Sequence, residues 1–124
     1  MNKLEVKIQK SKVRSMAKTI EKYLADFLEY LEIEKGRSQK TLRNYDFYLK
    51  RFFAWAKYPA PDKITLDIVR KFRVWLNRAI QGREDITPQT STQNYHLIAL
   101  RAFLKFLAKR DIKTLAAEKI ELAK

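Results

Sequence analysis

The sequence predicts an all-α fold of four helices, and three observations carry that expectation. Gly and Pro are scarce, two and three in 124 residues, and they fall at Gly36, Pro59, Pro61, Gly82 and Pro88, which leaves four long segments unbroken. Each segment is rich in Leu, Lys, Glu, Arg and Ala and repeats apolar residues at helical spacing. No run alternates apolar and polar residues for long enough to suggest a sheet.

The first helix is expected from about Thr19 to Lys35, with Ile20, Tyr23, Leu24, Phe27, Leu28 and Leu31 on one face and Gly36 as its C-terminal stop. A second begins after Ser38, a good N-cap, and runs to about Lys57 with Leu42, Tyr45, Leu49, Phe52, Phe53 and Ala56 inward. Pro59 and Pro61 forbid its continuation. The third, about Thr65 to Ile80, turns Ile68, Val69, Phe72, Leu76 and Ile80 to the core and ends at Gln81-Gly82. After a polar loop the fourth, capped near Thr90 to Thr92, runs to about Arg110 and buries Leu97, Leu100, Phe103, Leu104 and Leu107. A short fifth helix is expected around Thr114 to Lys119. Residues 1–18 lack an amphipathic stripe and carry six basic residues against one acidic. They read as a basic N-terminal arm ahead of one domain, residues 19–124.

A chain of 124 residues suits one core and one job, and 46% hydrophobic residues are enough to pack it. The net charge of +13 points to a polyanionic partner, nucleic acid first; the plainer alternative is a basic surface kept for solubility. Cysteine is absent, which excludes disulfides, thiolate zinc sites and a cysteine nucleophile and suits a reducing, cytoplasmic setting. The basic first 18 residues hold no apolar core of a signal peptide, and no stretch reaches the length of a membrane span, so neither secretion nor a membrane is expected.

Charge is distributed unevenly. The first helix carries Glu21, Asp26, Glu29, Glu32 and Glu34 against Lys22 and Lys35. The second carries Lys40, Arg43, Lys50, Arg51 and Lys57 against Asp46 alone, and the fourth has Arg101, Lys105, Lys109 and Arg110 and no acid. At about 100° per residue, Lys40, Arg43, Asn44, Phe47 and Arg51 lie opposite the apolar stripe of the second helix, and Asn94, Tyr95, Ile98, Arg101, Lys105 and Lys109 lie away from that of the fourth. Cations mixed with amides and aromatics suit phosphates, base edges and thymine methyls. For Phe47 and Ile98 the competing expectation is packing against a neighbouring helix or the arm.

Other chemistries find no support. His96, the one histidine, sits at the edge of the core stripe and reads as packed or half-buried rather than catalytic. The acids are scattered, so no metal or acid-base centre is expected, and no glycine-rich phosphate loop is present. No cofactor is expected.

Several stretches resemble the core-binding, SAM-like N-terminal domain of tyrosine recombinases and phage-type integrases, including the Xer type. Phe27-Leu28-Glu29-Tyr30-Leu31, Gly36-Arg37-Ser38-Gln39-Lys40-Thr41-Leu42-Arg43-Asn44-Tyr45 and Phe52-Phe53-Ala54-Trp55 look like the family's first two helices, with its Ser-x-x-Thr-x-x-x-Tyr spacing matched by Ser38, Thr41 and Tyr45. Ile64-Thr65-Leu66-Asp67-Ile68-Val69 resembles the start of the third helix, and the run from Thr92 to Phe103, with its Leu-Arg-x-Phe, the fourth. The ending resembles the run into an interdomain linker, except that Asn-Pro and Pro-Lys are usual where this chain has Leu115-Ala116 and Ala123-Lys124.

The resemblance implies an orthogonal four-helix bundle whose second and fourth helices cross in the major groove of double-stranded DNA. It implies contacts from Lys40, Thr41, Arg43, Asn44, Phe47, Lys50 and Arg51, and from Thr92, Asn94, Tyr95, Arg101 and Lys105. The family's chemistry, an Arg-Lys-His-x-x-Arg-His constellation with a tyrosine nucleophile that forms a 3′-phosphotyrosine, belongs to a second domain and has no counterpart among these residues. The chain therefore reads as the non-catalytic part of a protein for DNA integration or recombination, monomeric in isolation and joined by other recombinase protomers at full length. The alternative is a helical protein-interaction domain.

Overall fold

The structure is a computed structural model and describes residues 19–81 and 90–124. The basic arm, Gly82, Pro88 and the side chain of Ile80 lie outside the described residues. Among those described there are four α-helices and no strand: α1, residues 19–33; α2, Gln39–Trp55; α3, Leu66–Gln81; and α4, Thr90–Lys109. The all-α expectation holds.

The helix ends follow from local chemistry. After α1 the chain turns through Gly36 at φ +61, and the Arg37 N–H donates back to the Leu31 carbonyl at 2.9 Å, closing the last turn as a C-terminal glycine does. Ser38 then caps α2, its hydroxyl accepting from the Thr41 N–H at 3.2 Å. α2 stops at Trp55, before either proline. Lys57 and Tyr58 adopt φ 61 and 52, and the Tyr58 N–H donates to the Phe53 carbonyl at 2.7 Å. Two left-handed residues that are not glycine cost about 1–2 kcal/mol each. They deliver Pro59 and Pro61 into buried positions. Thr65 caps α3 through the Ile68 N–H at 3.2 Å.

α4 is the centre of the bundle. Leu97, Ala99, Leu100, Phe103, Leu104, Phe106 and Leu107 are all buried, more than one amphipathic stripe provides, because α4 packs against α2, α3 and the C-terminal turn and against Phe27 of α1. A helix apolar around most of its circumference is one enclosed on several sides. A seam of rings joins all four helices: Phe27 meets Phe103 at 5.5 Å, Phe103 meets Phe53 at 5.4 Å, Phe53 meets Phe52 at 6.0 Å and Phe52 meets Phe72 at 5.0 Å. Each pair is edge-to-face, the arrangement favoured by the ring quadrupole.

The fifth helix expected around Thr114 to Lys119 is corrected to a single 3-10 turn, Ala117–Lys119. The segment after α4 is instead strapped across the bundle by contacts that a helix here would not make. The Thr114 hydroxyl donates to the Pro61 carbonyl at 2.8 Å, Ile120 is buried, and the Arg73 guanidinium donates to the Glu121 carbonyl at 2.7 Å.

Candidate nucleic-acid interface

α2 and α4 pack against each other and leave a groove of about 410 Å³ between them, lined by Thr41, Asn44, Tyr45, Tyr48, Tyr95 and Ile98. Its lining is neutral: an amide, hydroxyls, rings and one aliphatic side chain. Tyr48 and Tyr95 form its aromatic wall, their rings nearly parallel at 18° and 6.3 Å apart. Asn44 is exposed, and no hydrogen bond within the protein occupies its amide among those found. Thr41, half-buried, accepts from the Ser38 hydroxyl at 3.1 Å, so the cap of α2 also orients this side chain.

Lys40 and Arg43 are exposed on α2 next in sequence to the groove residues Thr41 and Asn44. Lys50 is exposed but lines another recess with Phe47 and Arg51 and is paired with Asp46 at 3.1 Å, a surface pair worth little. Lys105 is exposed on α4 and lines a groove toward α1. Arg101 is half-buried, and its Nε is buried without a partner. Phe47 remains 55% exposed and Ile98 39%, so neither is absorbed into the core.

Three of the expected site residues are held by the protein itself. Arg51 is half-buried, its guanidinium lying 5.2 Å from the Phe47 ring centroid and 3.5 Å from His96 Nε2. Thr92 lends its backbone carbonyl to His96 Nδ1 at 2.8 Å. Asn94 is half-buried rather than free on the outer face where the helical wheel places it: its amide nitrogen donates to the Ala123 carbonyl and its oxygen accepts from the Ala123 N–H, both at 2.8 Å. The strap of the C-terminal segment explains the difference, since a wheel knows only the helix it is drawn on.

His96 is buried, 3% exposed, and its partners fix its tautomer. A carbonyl only accepts, so Nδ1 carries the proton; a guanidinium only donates, so Nε2 is bare. Burial pushes the imidazole below its ordinary value of 6.5, and the nearby Arg51 charge pushes the same way against the Thr92 bond. The unfolded chain therefore binds a proton near pH 6.5 that the folded chain refuses, and stability is expected to be full above that pH and to fall as pH drops below it. Thermal melts from pH 7.5 to 5 check this, with His96→Gln flattening the dependence; equal slopes for the two proteins would dismiss it.

Sequence reasoning missed Tyr48 as a groove wall, because its position between the apolar and polar faces of α2 assigns it to neither. It also missed Tyr30, Lys35 and Arg37, which meet the outward-facing Lys109 between α1 and α4 in a second groove of about 310 Å³. Their signal was present in the basic residues flanking Gly36 at the end of an otherwise acidic helix. No cluster of three or more His, Asp or Glu residues placed to hold a metal ion occurs among the described residues. No helix among them is long and apolar enough to cross a membrane.

Comparison with known proteins gives the family. A tyrosine recombinase, XerC, of Thermodesulfovibrio yellowstonii is 31% identical over 85 residues, which cover 68% of this chain and 26% of that protein. The chain thus matches about a quarter of this relative's length. No solved structure matches the chain. The family model described as phage integrase, N-terminal SAM-like domain, matches residues 24–111, from within α1 to just past the end of α4. The chain belongs to the family of phage integrase N-terminal SAM-like domains.

Proposed function

We propose that the chain binds duplex DNA with sequence preference, as the non-catalytic, site-recognising domain of a tyrosine recombinase or integrase. The observation that carries this is the α2–α4 groove: a neutral floor of amide, hydroxyl and ring groups between two helices whose exposed charges are predominantly basic. A protein face that must both grip phosphates and read bases needs that division. Lys40, Arg43, Lys50, Arg51, Arg101 and Lys105 supply the positive field, while Thr41, Asn44, Phe47, Thr92, Asn94 and Tyr95 supply groups for base edges, sugars and methyls. Asn94 and Arg51 take part only after exchanging their present partners. Family membership supports the reading, and the relative's name supplies the parent class.

Affinity for a duplex measured against salt tests it. If the six cations each meet one phosphate, log K is expected to fall with log salt at a slope of about −5. Lys50→Ala and Lys105→Ala should each flatten that slope by about 1 and weaken cognate and random duplex alike. A flat salt response would sink the proposal.

A second reading has one observation in its favour. Phe47, Trp55 and Trp75 line a shallow groove of about 640 Å³ beside Asp46, Lys50 and Arg51, and Phe47 and Trp75 are 55% and 40% exposed. Apolar surface of this kind suits a protein partner, another protomer included. Docking there changes little with salt, and Trp75→Ala would abolish it while leaving DNA affinity unaltered.

A further inference from the structure

We propose that the groove between α1 and α4 is a second seat for the DNA backbone, in which Lys35, Arg37 and Lys109 hold phosphates beyond the α2–α4 surface. This rests on the DNA-binding reading and extends it to residues outside that surface. Four cations, Lys35, Arg37, Lys105 and Lys109, line the groove around the Tyr30 ring, and no acid lines it. All four are exposed, and none forms any of the ion pairs found among the described residues.

Nothing in the helix composition requires that arrangement. α1 is net acidic, yet Asp26, Glu29 and Glu34 line a different recess, with Arg110 and Ile33. Tyr30 borders both and divides the two signs of charge. The Lys109 ammonium donates to the Tyr30 hydroxyl at 3.2 Å and lies 5.7 Å from its ring centroid, with Lys35 at 5.8 Å. Tyr30 thus brings two ammonium groups together, Lys109 through its hydroxyl and Lys35 beside its ring. The hydrogen bond from Lys109 and the charges of both lysines hold the Tyr30 phenol below its usual range, as a strongly positive locality does.

Continuity selects the DNA backbone as occupant. Tyr45 forms a wall of both grooves, and α4 runs directly from one to the other, Tyr95 and Ile98 lining the first and Ala102, Lys105 and Lys109 the second. At about 1.5 Å per residue, the stretch from Tyr95 to Lys109 spans roughly 21 Å, long enough to follow a duplex past the bases being read. Contacts to phosphates at this distance fix orientation and carry no sequence information.

The test uses the full chain and a random-sequence duplex of about 30 base pairs, with affinity read by fluorescence anisotropy across a salt series. Lys35→Ala, Arg37→Ala and Lys109→Ala are each expected to lower the salt slope by about 0.9, whereas Lys63→Ala, an equal charge change outside both grooves, should leave it near the unsubstituted value. Arg37→Gln serves where Lys109→Ala disturbs α1, since Arg37 lies in the loop and its side chain is exposed. Unchanged slopes in the three groove variants, while Lys50→Ala still lowers its own, overturn the second seat alone. A salt-independent unsubstituted chain overturns the DNA reading and the seat together. Displacement of duplex by millimolar inorganic phosphate at matched ionic strength would assign the groove to the free ion instead; no displacement is expected.

Discussion

Phe103→Ala is expected to lower the unfolding free energy by about 3–5 kcal/mol, the cost of emptying a large aromatic site in a core that relaxes only in part. Phe103 is fully buried and holds the seam between Phe27 and Phe53, so the cavity would open where α1, α2 and α4 meet. Small domains are stable by only about 5–15 kcal/mol, and a loss of this size consumes a large share. Urea unfolding followed by circular dichroism measures it, with a lower midpoint and an unchanged slope expected. Phe103→Leu, which refills part of the volume, should cost considerably less. A loss below about 1 kcal/mol, the size of a modest, volume-conserving core change, would mean that the seam is not the joint that holds the helices together.

On a cognate site, Arg43→Ala, Asn44→Ala and Tyr95→Ala are each expected to weaken binding by about 1–3 kcal/mol, and by less on random DNA. Asn44 on α2 and Tyr95 on α4 both line the α2–α4 groove, so an amide able to pair with adenine and a ring able to meet a thymine methyl come from its two helices. Arg43, one residue from Asn44 and exposed, has the fork geometry for guanine. Glu29→Lys on α1 should not impair binding. Site selection from randomised duplexes, followed by titration of each variant, separates base reading from phosphate gripping. Equal losses on cognate and random DNA would reduce these residues to general adhesion.

The helices were legible because their signals are local. Ser38, Gly36 and the apolar periodicity each act within a turn or two of chain, and the structure uses them as the sequence suggests. The end of α2 was less legible, since two left-handed residues at Lys57 and Tyr58 are favoured by what surrounds them and not by their own side chains. The strap after α4 was illegible for a related reason: its hold on Asn94 and Arg73 spans 29 and 48 residues. The same distance effect governs the site. A wheel finds which residues leave a core stripe, and so found Lys40, Arg43, Asn44 and Lys105. It does not find that Tyr48 and Tyr95 stand wall to wall, or that Lys35 and Lys109 converge on one ring from opposite ends of the chain.

α4 carries Arg101, Lys105 and Lys109 at successive four-residue steps and no acid at all. Like charges at that spacing destabilise a helix by about 0.2–0.5 kcal/mol per pair, and this helix is the one around which the others assemble. The two pairs together give about 0.4–1 kcal/mol of like-charge repulsion along the central helix of the free protein. If a polyanion lies against α4, as proposed, relief of that repulsion is one part of its binding free energy, and the melting temperature of the bundle is expected to rise with polyanion concentration through that linkage. Recognition and rigidity would then be one equilibrium, with the central helix at its firmest when the proposed partner is in place.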